Sequence, residues 1–220
     1  MRKKLFVLMA LATLTFQSKA QLSDEEYAYV TMDLQGILNL TMTSDPTVNF
    51  EFKTIPEYQN GITKFNATKL DVDATVAWDL FAYASTNNWT QVDNYSTSGQ
   101  AALPAEILEM QAIRPNASAA PANFNVMRSL KGLTNSGVAG GVPTAATQFL
   151  AGMMGTAAGQ SYAPGAASSS PTTNQFRIHY RLKPSIPATF PNSTVALAAP
   201  GFAQSGYYYL EVVYSLIENL

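Results

Sequence analysis

Apolar residues recur mostly at every second position of the chain, the signature of strands that bury one face. From Ala28 onward Val30, Met32 and Leu34, then Leu38, Leu40 and Met42, fall on one side. Asp33, Gln35, Asn39, Thr41 and Thr43 fall on the other, and Gly36 interrupts the set as a bulge would. After the turn-forming pair Asp45-Pro46, Val48, Phe50 and Phe52 alternate with Asn49, Glu51 and Lys53 and predict a second strand. The strongest alternation predicts one strand over 70–84, with Leu70, Val72, Ala74, Val76, Trp78 and Leu80 on the inner side. Asp71, Asp73, Thr75, Ala77 and Asp79 face outward, and a slip of one residue would bury three carboxylates, so the register is well specified.

Residues 85–100 read as loop around a short strand at 89–92. Over 104–113, Pro104 and the run Ala-Glu-Ile-Leu-Glu-Met-Gln suit a helix, whereas the all-β surroundings favour a strand. Phe176, Ile178, Tyr180 and Leu182 alternate with Arg177, His179, Arg181 and Lys183, which places the lone His on a solvated polar face. Tyr207 to Ile217, aromatic and β-branched behind Gly206, predicts the last strand. Together these predict an all-β chain, an immunoglobulin-like β-sandwich over 21–220 with a long small-residue-rich insertion at about 132–176. Its predicted core is Phe50, Phe52, Leu70, Val72, Val76, Trp78, Leu80, Ile178, Tyr180, Leu210, Val212 and Tyr214.

The insertion carries 45 residues without a charge, mostly Ala, Gly, Ser, Thr and Pro. Such a composition buries too little apolar surface to offset its ordering entropy. Phe149, Leu150, Met153 and Met154 form its one apolar knot, which either pins the segment to the core or docks on a partner. Most of the insertion is therefore expected to be dispensable for folding.

Residues 1–20 read differently. Arg2, Lys3 and Lys4 precede an apolar run from Leu5 to Phe16 that ends at Ser18-Lys19-Ala20, the grammar of a signal peptide cleaved before Gln21. That run is too short for a transmembrane span, which needs about 20 residues. Cleavage removes four of the 13 Lys and Arg and leaves nine against 15 Asp and Glu, a balance of −6 that disfavours nucleic acid as a partner. The expected location is periplasm, cell surface or medium, and the compact basic start suits a bacterium. Six N-x-S/T triplets then follow from a chain rich in Asn, Ser and Thr.

Zero Cys excludes disulfides, Cys-ligated zinc and a lipid-bearing N-terminal Cys, and a single His excludes a multi-His metal site within one chain. No nucleophile elbow, metalloprotease helix or phosphate loop is present, so the sequence predicts no enzyme, no catalytic residues and no cofactor. Asp71 and Asp73 share a strand face, but two carboxylates are too few for calcium's six to eight oxygen ligands, so no metal is expected. Charge is segregated: 21–110 carries three basic and 13 acidic residues, and 111–220 six basic and two acidic. Arg177, His179, Arg181 and Lys183 are therefore expected to pair with Asp71, Asp73 and Asp79, across strands or between copies of the chain.

The run Leu70-Asp71-Val72-Asp73-Ala74-Thr75-Val76-Ala77-Trp78-Asp79-Leu80 resembles the central strand of WxL-type bacterial cell-surface domains, in which a Trp-x-Leu triplet ends a strand. The closing Gly206 to Leu216 is similar to that family's terminal strand, with Tyr214 where the second Trp is expected. The resemblance implies an immunoglobulin-like sandwich displayed on a surface and associated with the cell wall. The function expected is an exported, non-enzymatic structural or adhesive subunit with protein partners or self-association. The alternative is a glycan-binding module for surface polysaccharide, with rings such as Trp89, Tyr95 and Tyr162 on one surface.

Overall fold

The period-two residues form antiparallel ladders in the computed structural model, which describes residues 31–114, 124–132, 138–139, 142–143, 149–152, 162–182 and 203–218. The chain divides into two units, 1–35 and 36–220. Of the first, 31–35 are described and hold no helix or strand, and the expected signal peptide lies outside the described residues. In chain order the second unit contains β1 (Leu38–Met42), α1 (Ile55–Asn60), β2 (Ile62–Ala74), β3 (Trp78–Ala84), β4 (Thr90–Asn94), a 3-10 turn (Ala105–Ile107), β5 (Leu108–Ile113) and β6 (Arg128–Ser129). It continues with β7 (Val138–Ala139), β8 (Val142–Pro143), β9 (Phe149–Ala151), α2 (Pro171–Asn174), β10 (Gln175–Leu182), β11 (Gly206–Tyr209) and β12 (Val212–Glu218).

A five-stranded sheet in the order β1-β2-β10-β5-β6 faces a three-stranded sheet in the order β12-β3-β9, and β11-β4 and β7-β8 form two-stranded ribbons. One core cluster takes Leu70 and Val72 from β2, Met110 from β5, Phe176 and Ile178 from β10, and Trp78, Leu80 and Leu150 from the smaller sheet. The fold is thus all-β and sandwich-like. Burial of each such side chain contributes about 1.5–3 kcal/mol, so the alternation dictates which way every strand turns.

The alternation over 70–84 is continuous, but the strand is not. The chain bends at Thr75-Val76-Ala77 and crosses from the larger sheet to the smaller. Ile37 clasps the bend, donating its N–H to Thr75 Oγ1 at 2.8 Å and accepting from Thr75 N at 3.0 Å. Even-numbered residues point inward on both sides because the two sheets face one another. Val76, expected in the core, sits half-buried in the bend. Tyr207 to Ile217 is likewise two strands, β11 and β12, in different sheets.

Val48, Phe50 and Phe52 pack against the core as expected, but residues 47–53 join no ladder. Of the two readings of 104–113 the strand holds, as β5 from Leu108, behind a single 3-10 turn. The insertion departs furthest from expectation. β9 pairs with β3, Tyr162 and Trp78 exchange backbone hydrogen bonds of 2.9 and 3.0 Å, and Gly165 and Ala74 exchange bonds of 2.8 and 2.9 Å. Asn174 Nδ2 also donates to Val72 O at 3.1 Å. Small residues contribute little apolar area, but their peptide groups complete a ladder as well as any others.

Candidate functional site

The inward parity fixes what lies outside. Asp71 and Asp73 of β2 and Arg177, His179 and Arg181 of β10 are odd-numbered, so all five project from the outer face of the five-stranded sheet. Their pairing differs from the expected one. Phe176 opposite Leu70 sets the register, which leaves Gln175 opposite Asp71 and Arg177 opposite Lys69. Arg181 Nε instead donates to Glu109 Oε2 of β5 at 2.5 Å. Lys69 and Arg177 are both exposed and neither has an ion-pair partner among the described residues. Like charges directly opposite in a ladder destabilise it. Asp73 is tied to the insertion, since its Oδ1 accepts from Ala167 N at 2.8 Å. Burial, and then the neighbouring Asp73, raise the Asp71 carboxyl above its ordinary range.

Asp79 does not belong to this face. It lies in β3, in the other sheet, and is buried. Gly152, at φ +75°, lies so close that a Cβ there would come within 1.6 Å of Asp79 Oδ1. Phe149 and Leu150 are buried in β9, Phe149 against Phe81 with ring centroids 5.9 Å apart, so the chain's own core takes both. Met153, Met154 and Lys183 lie outside the described residues.

His179 corrects a further expectation: it is buried rather than solvated. The ladder between β10 and β2 breaks its register there, with Ile178 opposite Thr68 and Tyr180 opposite Lys64, so three residues of β2 bulge past one of β10. Asn66, at φ +51°, caps the bulge and donates its N–H to His179 Nδ1 at 2.9 Å. Asn is among the few side chains that tolerate this conformation. Phe65 meets the imidazole edge-on with centroids 5.2 Å apart. Burial, with the Arg177 charge adding to it, lowers the His179 pKa and keeps the ring neutral, as an acceptor must be.

A cavity of about 420 Å³ opens where the segment after β1 meets the β11–β12 connection. Seven of its lining residues are aromatic: Phe50, Trp89, Tyr180, Tyr207, Tyr208, Tyr209 and Tyr214. Tyr207 and Tyr209 are more than half exposed, so they stand at the rim. Thr68 Oγ1 and the Tyr180 hydroxyl share a hydrogen bond of 3.1 Å, and Tyr180 bonds in turn to the Tyr214 hydroxyl, which joins the two sheets. Burial raises the Tyr180 pKa and holds Tyr214 well above its ordinary value, so both phenols stay neutral. Trp89 Nε1 is buried with no acceptor among the described residues, an arrangement that costs about 1–3 kcal/mol. Among the described residues Glu211 is the one Asp, Glu, Lys or Arg of the lining.

Trp89 thus joins Tyr207 to Tyr209 rather than the ring set expected with Tyr95 and Tyr162. Tyr162 instead packs on Trp78 with centroids 5.0 Å apart, under the Arg114 guanidinium at 5.1 Å. The cavity is made by β11 bending away into β12, a break that continuous aromatic alternation concealed. Among the described residues no group of three or more His, Cys, Asp or Glu could hold a metal ion. No described helix is long and apolar enough to cross a membrane. No family model matches the chain, and no curated protein matches it as a relative.

Proposed function

We propose that the chain is an exported, non-enzymatic structural or adhesive subunit of a bacterial cell surface, and that it associates with its own copies through the outer face of the five-stranded sheet. The observation that carries this reading is the exposed pair Lys69 and Arg177, opposed across the ladder with no counter-charge within ion-pair distance among the described residues. Asp71 and Asp73 lie further along the same face. A second copy turned about a two-fold axis brings acidic positions against the cationic pair, and one patch then serves both partners. The two aromatic-x-Leu triplets that suggest a WxL-type, immunoglobulin-like surface domain support the same role. They meet on paired strands, Leu80 opposite Leu216 and Ala82 opposite Tyr214.

Sedimentation velocity over a concentration series tests the association. Dimers or longer assemblies are expected at about 0.05 M salt and should weaken at about 0.5 M, where screening shortens to a few ångströms. Arg177→Glu should weaken assembly, and adding Asp71→Lys should restore part of it. A monomer at every concentration in low salt refutes self-association. Export is tested separately by cell fractionation and N-terminal sequencing, which should give Gln21 as the first residue; an uncleaved cytoplasmic chain refutes it.

A further inference from the structure

We propose that the cavity between the segment after β1 and the β11–β12 connection is a binding site for a neutral saccharide. Its volume of about 420 Å³ falls within the roughly 300–1,000 Å³ of small-ligand clefts. Aromatic faces and neutral hydroxyls are the complement of a sugar ring, which offers apolar C–H faces between hydroxyl edges. Tyr207 and Tyr209, two residues apart on one strand and half exposed, supply faces at the rim. The Thr68, Tyr180 and Tyr214 hydroxyls supply neutral groups that both donate and accept.

The same features disfavour other ligands. An apolar ligand would cover these hydroxyls and offer their remaining donor and acceptor positions nothing in return. An anion would meet the Glu211 carboxylate at the wall. A quaternary ammonium would suit the rings, but it offers the Thr68, Tyr180 and Tyr214 hydroxyls no hydrogen bond, whereas the hydroxyls of a sugar do. The site lies on the inner side of β2 and β10, away from Lys69, Arg177 and Asp71, so this inference does not rest on self-association.

The experiment titrates the full chain with cellohexaose, chitohexaose, polygalacturonate and choline, followed by calorimetry and tryptophan fluorescence. Trp78 is fully buried in the core, so a change in emission reports chiefly on Trp89. Saturable binding of a neutral hexasaccharide is expected, with a shift in emission. It should weaken at least tenfold in Tyr207→Ala/Tyr209→Ala, whose thermal melt should match that of the parent because both rings are half exposed. Trp89→Phe should abolish the emission change. Binding of neither neutral hexasaccharide overturns the proposal, as does a preference for polygalacturonate or choline, or affinity unchanged in the Tyr207/Tyr209 variant. Salt-dependent assembly should persist in that variant, which separates failure of this site from failure of the outer face.

Discussion

Replacing Trp78 by Ala tests the core at the point where the most elements meet. Its side chain is fully buried, lies 5.0 Å from the Tyr162 ring and 6.2 Å from that of Phe176, and donates from Nε1 to Ala163 O at 3.1 Å. Truncation of a buried Trp costs about 3–5 kcal/mol, and loss of the hydrogen bond adds about 1 kcal/mol. Ala163 is exposed, so water replaces the lost donor and the addition stays at that lower figure. The sum, about 4–6 kcal/mol, is a large part of the roughly 5–15 kcal/mol that holds a typical domain together. With a urea dependence of about 1–3 kcal/mol per molar, the denaturation midpoint should fall by about 2 M, or the variant should not fold. Trp78→Phe keeps most of the ring volume and should cost about 1–3 kcal/mol. A midpoint shift below about 0.5 M for Trp78→Ala, with the slope unchanged, would refute the placement of Trp78 between the sheets.

Folding stability should fall with pH below about 6.5, where an unfolded His gains its proton. The buried His179 has its pKa lowered, so its contribution is complete above the unfolded value and is lost as pH falls toward the folded one. His179→Gln, which retains an acceptor but cannot titrate, should flatten that slope in urea melts across this range. Tyr180→Phe and Tyr214→Phe should show a coupling of about 0.5–3 kcal/mol in a double-mutant cycle, because their hydroxyls bond to each other. Replacing 134–174 by a short Gly-Ser linker should abolish cooperative unfolding, since it removes β9 and the backbone pairing of Tyr162 with Trp78. A melting temperature within a few degrees of the parent would refute this.

Side-chain parity was legible across β2 and β10, but not at Asp79, which is buried against it, nor at Met32 and Leu34, which are exposed. Leu70, Val72, Trp78, Leu80, Ile178 and Tyr180 are inside as the alternation requires, and the outer face of β10 follows from the same count. Parity is blind to bends that preserve it, so the breaks at Thr75–Ala77 and at Leu210-Glu211 were hidden, and with them the cavity. The helix α1 carried a readable signal, Thr54 followed by Glu57 with Pro56 near its start, and Glu57 Oε2 accepts from both Lys53 N and Thr54 N at 2.7 Å. The place of 149–174 in the fold was not readable, because its attachment runs through peptide groups that every residue shares. The bulge at His179 was equally silent, since it depends on a partner strand remote in sequence.

The order in which the strands leave the ribosome bears on how this sandwich comes into being. β2 waits for β10 and β3 waits for β12, and the bonded pair Thr68 and Tyr180 stand 112 positions apart. Until the last quarter of the chain is made, the longest strand has only β1 beside it and its other edge is open. Pairings this distant make folding slow, in the millisecond-to-second range of all-β domains, and leave an edge that recruits other chains in the meantime. Loss of the closing strand by truncation would leave β3 with only the three-residue β9 beside it and its other edge open, and the shortened chain would aggregate instead of settling into a smaller domain.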